Sequence, residues 1–314
     1  MIGPSLPPSR PHQASRAQAA PPDVMVYSDI DDSLVAGNDD GLAASRDVLV
    51  TQSGRTVPGY STGRGITLAM ALSTQLAGFP MAFFAVNNGL NLFVNDQNLP
   101  ADEFIKSLPG RSEDPAWAAE VSERSGGFTI DRVRDGLKSQ LDRDGFVESP
   151  TARPGFATYR RGDIQVTVPP DQPAFFVESG TGKLGESQKQ FAHELSQRLL
   201  DGLGHEGVSA TPGHFYKGEK AVHYLQPAGI TKASLLEHLL GRFPSVHHTI
   251  TVGDNVNDDM LIPEQFSGVT NYPVLAGHHH PDEEKLRQHP RLEWVESGAA
   301  APGLLAQFDH IDHA

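Results

Sequence analysis

Two short apolar runs in this chain end in clusters of carboxylates. Val24-Met25-Val26-Tyr27 leads through Ser28 into Asp29, Asp31, Asp32 and Ser33, and Thr249-Ile250-Thr251-Val252 leads through Gly253 into Asp254, Asp258 and Asp259. Asp29 and Asp31 lie two residues apart in an extended segment, so they point the same way. Paired negative charges repel unless a cation is shared, and a purely oxygen surrounding suits Mg²⁺. The chemistry expected is a magnesium site at a strand end, with one carboxylate free to attack or to move protons. If the two strands are neighbours, Asp29, Asp31, Asp254 and Asp258 converge on one hard cation.

Two further segments supply groups that bind anions. Ser61-Thr62-Gly63-Arg64-Gly65 reads as a glycine turn between a strand ending at Tyr60 and a helix over 66–76. A hydroxyl and free backbone N–H groups at a helix start can hold phosphoryl oxygens, which makes Thr62 a candidate. Lys232 falls in the first turn of a helix beginning near Thr231. The positive end of a helix disfavours a cation there unless an anion meets it. Other motifs fail on inspection. Gly180-Thr181-Gly182-Lys183 lacks the upstream Gly and the Ser or Thr of a phosphate loop, because Val177 and Leu184 stand at those positions. Asp142-Arg143-Asp144-Gly145 does not have calcium-loop spacing. His247-His248 and His278-His279-His280 read as solvated loop histidines, since consecutive residues rarely turn two side chains to one metal.

The elements that must position these groups follow from periodicity. Both acidic runs read as buried strands of a parallel sheet, where each face is covered and apolar residues need not alternate. Ligands of such sheets bind beyond the carboxyl ends of the strands. Residues 81–95 form two strands about an Asn-Gly turn. Between 96 and 226 the character changes. Helices are expected over 101–108, 117–123 and 187–203, and strands over 155–159, 164–168, 174–178, 214–217 and 221–226. This is a separate layer inserted into the main fold. A further strand over 269–275 and a closing helix over 299–308 complete the core. The expected class is α/β, a Rossmann-like parallel-sheet core over 23–95 and 227–314 with an inserted α+β cap over 96–226, preceded by a disordered tail over 1–22.

Bulk properties narrow the partners. The chain has 314 residues, a formal net charge of −14 and no cysteine. That charge argues against a phosphate-backbone binder, which needs clustered Lys and Arg. Without cysteine there is no disulfide, thiolate nucleophile or Cys-based metal centre, and a reducing, cytoplasmic setting fits. No apolar run approaches the roughly 20 residues of a membrane helix.

In chain order the pieces are Asp29-Ile30-Asp31-Asp32-Ser33, Tyr60-Ser61-Thr62-Gly63-Arg64, Lys232 and Gly253-Asp254-Asn255-Val256-Asn257-Asp258. This order resembles the four motifs of the haloacid dehalogenase superfamily of phosphatases. The Ser-Thr-Gly-Arg segment with Thr67-Leu68 is most similar to the sucrose-phosphate phosphatase-like branch. The resemblance implies Asp29 as nucleophile and Asp31 as general acid and base. It implies Mg²⁺ on Asp29, the Asp31 backbone carbonyl, Asp254 and Asp258. Thr62 and Lys232 would hold the phosphoryl oxygens, with Ser61, Gly63, Arg64 and Asn257 at substrate-binding positions; Arg64 either assists or pairs with an acid. The substrate expected is a small phosphorylated metabolite, a sugar phosphate above others, selected by the cap. A phosphomutase or phosphotransferase, or a non-catalytic binding protein, is the competing reading. Asp32 stands where many relatives carry Gly, Ser33 where they carry Thr, and Lys220 competes with Lys232 for the lysine role.

Overall fold

The computed structural model describes residues 20–34, 39–151, 153–180, 182–217, 219–255, 257–277 and 282–314. The run His278-His279-His280 and most of the expected N-terminal tail lie outside them.

The chain enters through β1 (Val24–Asp29), crosses by α1 (Asp39–Thr51) to β2 (Thr56–Ser61), and then makes the short α2 (Ile66–Ala69) with a 3-10 turn, Met70–Leu72. The hairpin β3 (Phe83–Val86) and β4 (Asn91–Val94) follows, its turn carried by Asn87, Asn88 and Gly89, all at positive φ. Next come α3 (Ala101–Ser107), α4 (Pro115–Arg124) and α5 (Ile130–Arg143). Strands β5 (Val147–Ser149), β6 (Ala157–Arg161), β7 (Ile164–Val168) and β8 (Ala174–Ser179) lead to α6 (Glu186–His205). Strands β9 (Ala210–Lys217) and β10 (Lys220–Pro227) then lead back to α7 (Lys232–Arg242). The rest is β11 (His248–Gly253), β12 (Gln265–Phe266), β13 (Val269–Ala276), α8 (Glu283–Arg287), β14 (Glu293–Val295) and α9 (Ala300–Asp312).

Two sheets result. The main one runs β12-β13-β11-β1-β2-β3-β4, with β14 also on β13, and the other runs β5-β6-β7-β8-β10-β9 with antiparallel pairing throughout. In the main sheet β13, β11, β1, β2 and β3 are parallel. The chain leaves β1 toward β2 on one side and returns to β11 on the other. The carboxyl ends of β1 and β11 therefore flank the switch point where such sheets hold ligands. Within β1, Val24 and Val26 face the core that includes Leu49, Leu304 and Phe308, while Met25 and Tyr27 face the one that includes Leu235 and Leu239. Both faces are covered, which is why the strand is apolar at consecutive positions.

Two expectations change. The helix over 66–76 contracts to α2 and its 3-10 turn, and the chain continues through Leu76 as hydrogen-bonded turns. Leu72 and Leu76 are buried regardless, so the apolar spacing came from packing and not from a long helix. Second, α3 and α4 lie in the stretch expected to form the insert, yet they pack on the core. Ala101, Phe104, Ile105 and Leu108 join Leu72, Leu76 and Phe79 in one cluster, and the Trp117 indole N–H donates to the Gly89 carbonyl. Among the described residues no helix is long and apolar enough to cross a membrane.

The insert holds a buried histidine with a stated pH consequence. Phe175, His223 and His214 stand in register on β8, β10 and β9, with ring centroids 5.2 and 5.4 Å apart, and His193 of α6 edges onto His214. His223 is 1% exposed and its Nε2 has no hydrogen-bond partner. Burial first, then the neighbouring His214 and His193, push its pKa down to about 4. The fold holds the ring neutral, whereas the unfolded chain takes up a proton near 6.5. The stability from this ring is complete above that value and is lost as pH falls toward about 4. His223→Phe keeps the stack without the titration. The mutant is expected to lose less thermal stability than wild type between about pH 7 and 4.5, by on the order of 2 kcal/mol, in scanning calorimetry.

Candidate active site

β1 and β11 are parallel neighbours, with Ser28 opposite Val252, so Asp29 emerges beside Gly253 and the two acidic ends meet. Gly253 has no side chain for a local reason. A Cβ there would lie 2.5 Å from the Cβ and Cγ of Asp258, which folds back against the strand end. Asp258 Oδ2 accepts from the backbone N–H groups of Asp254 and Asn255 at 2.8 and 2.9 Å. Asp32, where a glycine was expected from the resemblance, sits at φ +60°, in the left-handed region that Gly favours and Asp tolerates. Its carbonyl accepts from the Ser297 hydroxyl and the Gly298 N–H, which ties the loop after β1 to the chain before α9.

Asp29, Asp254 and Asp258 are buried, and one carboxylate oxygen from each lies within 4.8 Å of the others. Lys232 is fully buried among them. Its Nζ donates to Asp258 Oδ1 at 2.6 Å and pairs with Asp29 Oδ1. The helix that carries it starts at Thr231, whose hydroxyl accepts from the Ser234 N–H, so the lysine is aimed by a capped first turn. Lys220, its rival in the sequence, pairs with Glu178 in the insert's sheet. Ser33 Oγ donates to Asp254 Oδ1 at 3.0 Å and lies 3.4 Å from Asp29 Oδ2.

The electrostatics are those of a site short of positive charge. Burial raises the pKa of Asp29 well above the usual carboxylate range. Lys232 opposes that rise, and Asp258, Asp254 and Asp31 add to it. Burial, then Asp258, pushes Asp254 up to about 7. Burial pulls the Lys232 ammonium down, but Asp258 and Asp29 more than offset it, leaving its pKa well above the ordinary value. Three buried carboxylates thus face one buried ammonium. An all-oxygen donor set with excess negative charge fits Mg²⁺.

The second motif lies across this cluster. Thr62 is fully buried, and its hydroxyl donates to Asp31 Oδ2 at 2.9 Å while accepting from the Arg64 N–H at 3.1 Å. Arg64 forks onto the same carboxylate, Nε to Oδ2 at 3.2 Å and the terminal nitrogen to Oδ1. Asp31 therefore has three side-chain donors around it, and Arg64 pairs with an acid in this structure. Gly63 presents its carbonyl to Gln172 of the insert. Ser61 is fully buried beside the Tyr27 phenol and stands opposite Asp29 in the β1–β2 register. Asn257 donates to the Asn88 side-chain oxygen at 2.7 Å, which links the last motif to the β3–β4 turn. The sequence had marked that turn only as a hairpin. Its two asparagines adopt the left-handed conformation that a tight hairpin turn takes, and no local signal pointed to the contact with Asn257.

A cavity of about 130 Å³ opens between Thr211, Tyr224 and Gln226 of the insert and Thr231, Asn257 and Asp259 of the core. Its lining contains hydroxyls, amides and a carboxylate, with no Lys or Arg.

No family model matches the sequence. No curated protein matches it either. Solved structures do. The sucrose-phosphatase from Synechocystis, in complex with sucrose and phosphate, matches with a TM-score of 0.54 and 14% identity over 92% of this chain and 99% of its own. A protein from Thermoplasma acidophilum matches at 0.51 and 13% over 93% and 100%. One from Thermotoga maritima matches at 0.51 and 11% over 91% and 97%. At these identities the likeness concerns the fold, and it spans both the main sheet and the insert. The chain shares its fold with these structures: a mainly parallel sheet carries a large inserted α/β layer.

Proposed function

We propose that this protein is a Mg²⁺-dependent phosphomonoester hydrolase acting on a small phosphorylated metabolite, a sugar phosphate above others, in the cytoplasm. The observation that carries the reading is the cluster at the switch point, where Asp29, Asp254 and Asp258 are buried against the single ammonium of Lys232. Asp29 attacks phosphorus, forming the Asp29 Oδ–P bond as the bond to the leaving oxygen breaks. Asp31 gives a proton to that oxygen and then takes one from the water that hydrolyses the aspartyl-phosphate. Before it can do so, its carboxyl must be released from Arg64 and Thr62, whose donors then become free for phosphoryl oxygens. Lys232 keeps Asp29 oriented and balances charge that shifts onto the phosphoryl group. Asp29, the Asp31 carbonyl, Asp254 and Asp258 would hold Mg²⁺, which when bound supplies the positive charge this cluster lacks. The insert, from α5 to β10, would act as the cap. Sugars fit the cation-free polar lining of the cavity between insert and core, and the Synechocystis neighbour binds one.

The test is a phosphomonoester screen without an acceptor, reading inorganic phosphate. Release with Mg²⁺ that falls at least about 100-fold in excess EDTA is expected. Phosphate release that persists unchanged in EDTA, or release that requires an added acceptor, would overturn the hydrolase reading.

A further inference from the structure

The loop between β7 and β8 reaches out of the insert and seats on the second motif. Asp171 Oδ2 accepts from the backbone N–H of Thr67 at 2.6 Å. Gln172, 4% exposed, donates through Nε2 to the Gly63 carbonyl at 2.9 Å. On the other side, Asn87 Nδ2 donates to the Asp171 carbonyl at 2.9 Å. The core itself ties Thr62 and Arg64, through the Thr62 N–H to the Ala85 carbonyl and the Asn88 and Asn87 N–H groups to the Thr62 and Arg64 carbonyls, and the insert adds its support at Gly63 and at the start of α2. Helix α2 begins at Gly65 with no side-chain cap, and Asp171 supplies that cap from a residue 104 positions away.

Gly65 identifies the seat independently. Its backbone is extended, φ −76° and ψ 173°, which any residue adopts, so glycine is not required by conformation. A Cβ there would instead lie 2.6 Å from the Asp171 carbonyl oxygen and from Gln172 Cγ, and 2.7 Å from Asp171 Oδ1. The missing side chain is the space that the insert occupies. The seam is also under-satisfied. Asn87 Oδ1, Asp171 Oδ1 and Gln172 Oε1 are buried with no hydrogen-bond partner.

We propose that Asp171 and Gln172 are positioning residues for the second motif, holding the chain from Gly63 to the start of α2 in place while the insert is seated on it. The catalytic consequence rests on the hydrolase reading above; the structural consequence does not. Seating then couples closure of the insert to assembly of the groups that surround Asp31.

Amide exchange at Thr67, together with kinetics on p-nitrophenyl phosphate, tests this in Asp171→Ala, Asp171→Asn and Gly65→Ala. Protection of the Thr67 amide is expected to fall about tenfold or more in Asp171→Ala and in Gly65→Ala. Asp171→Asn retains an acceptor oxygen and should recover most of it. In the same two variants kcat should fall roughly 10- to 100-fold, with KM changing much less and the melting temperature nearly unchanged. Unchanged Thr67 exchange in both variants overturns the proposal, as does lost protection with kcat intact. If wild type releases phosphate from no substrate, the hydrolase reading fails, and exchange alone decides whether the loop positions the segment. Should Gly65→Ala not fold, Asp171→Ala against Asp171→Asn carries the same comparison.

Discussion

Asp29→Asn is expected to reduce phosphate release by about 10⁴-fold or more while leaving the fold intact. The amide is isosteric but cannot form the acyl phosphate, so the two-step displacement is blocked at its first bond. The fold should tolerate the change. Burial already disfavours the charged carboxylate of Asp29, as its raised pKa shows, and a neutral amide removes that penalty. Lys232 keeps Asp258 as a partner at 2.6 Å. Steady-state phosphate assays paired with thermal melts check both halves: turnover near background, and a melting temperature equal to or above that of wild type. An Asp29→Asn protein that turns over at the wild-type rate would remove Asp29 from the nucleophile role.

Lys232→Met is expected to have the opposite balance, with stability lost as well as activity. The side chain is fully buried and bonded to two buried carboxylates. Methionine fills similar space but leaves Asp29, Asp254 and Asp258 with no compensating charge inside the protein. Breaking a buried pair from one side costs about 3–5 kcal/mol. For a chain of this size that corresponds to roughly 5–8 °C in melting temperature. Because the deficit is one of positive charge, Mg²⁺ should restore part of the loss, and it should do so more in the mutant than in wild type. Melting curves with and without MgCl₂ make the comparison. A melting temperature unaffected by the substitution would show that the cluster does not depend on the lysine for its charge balance.

The parts of the site legible in the sequence are those whose signal is local. An apolar run that ends in carboxylates marks a strand and its ligand end within ten residues, and two such runs suffice to suggest that they converge. Lys232 was legible for a similar reason, since a cation at a helix start is unfavourable without an anion, and the structure shows Asp29 and Asp258 there. The apolar spacing over 66–76 was more ambiguous. Buried turns and a true helix leave the same pattern, and the structure resolves it as a single helical turn followed by a 3-10 turn. Arg64 stood between two roles in the sequence, because its partner is 33 residues away and no periodicity relates them.

The sequence by itself determined the strand ends and their acidic chemistry, because hydrophobic period and residue type act over short stretches. Only the tertiary structure decided that α3 and α4 pack on the core, that Asn88 meets Asn257, and that Asp171 and Gln172 seat on Gly63, Gly65 and Thr67. Each of these contacts joins residues whose own neighbourhoods are satisfied in several ways. The Asp-Gln pair set between prolines meets the start of the short helix α2 only through the packing of the insert against the core.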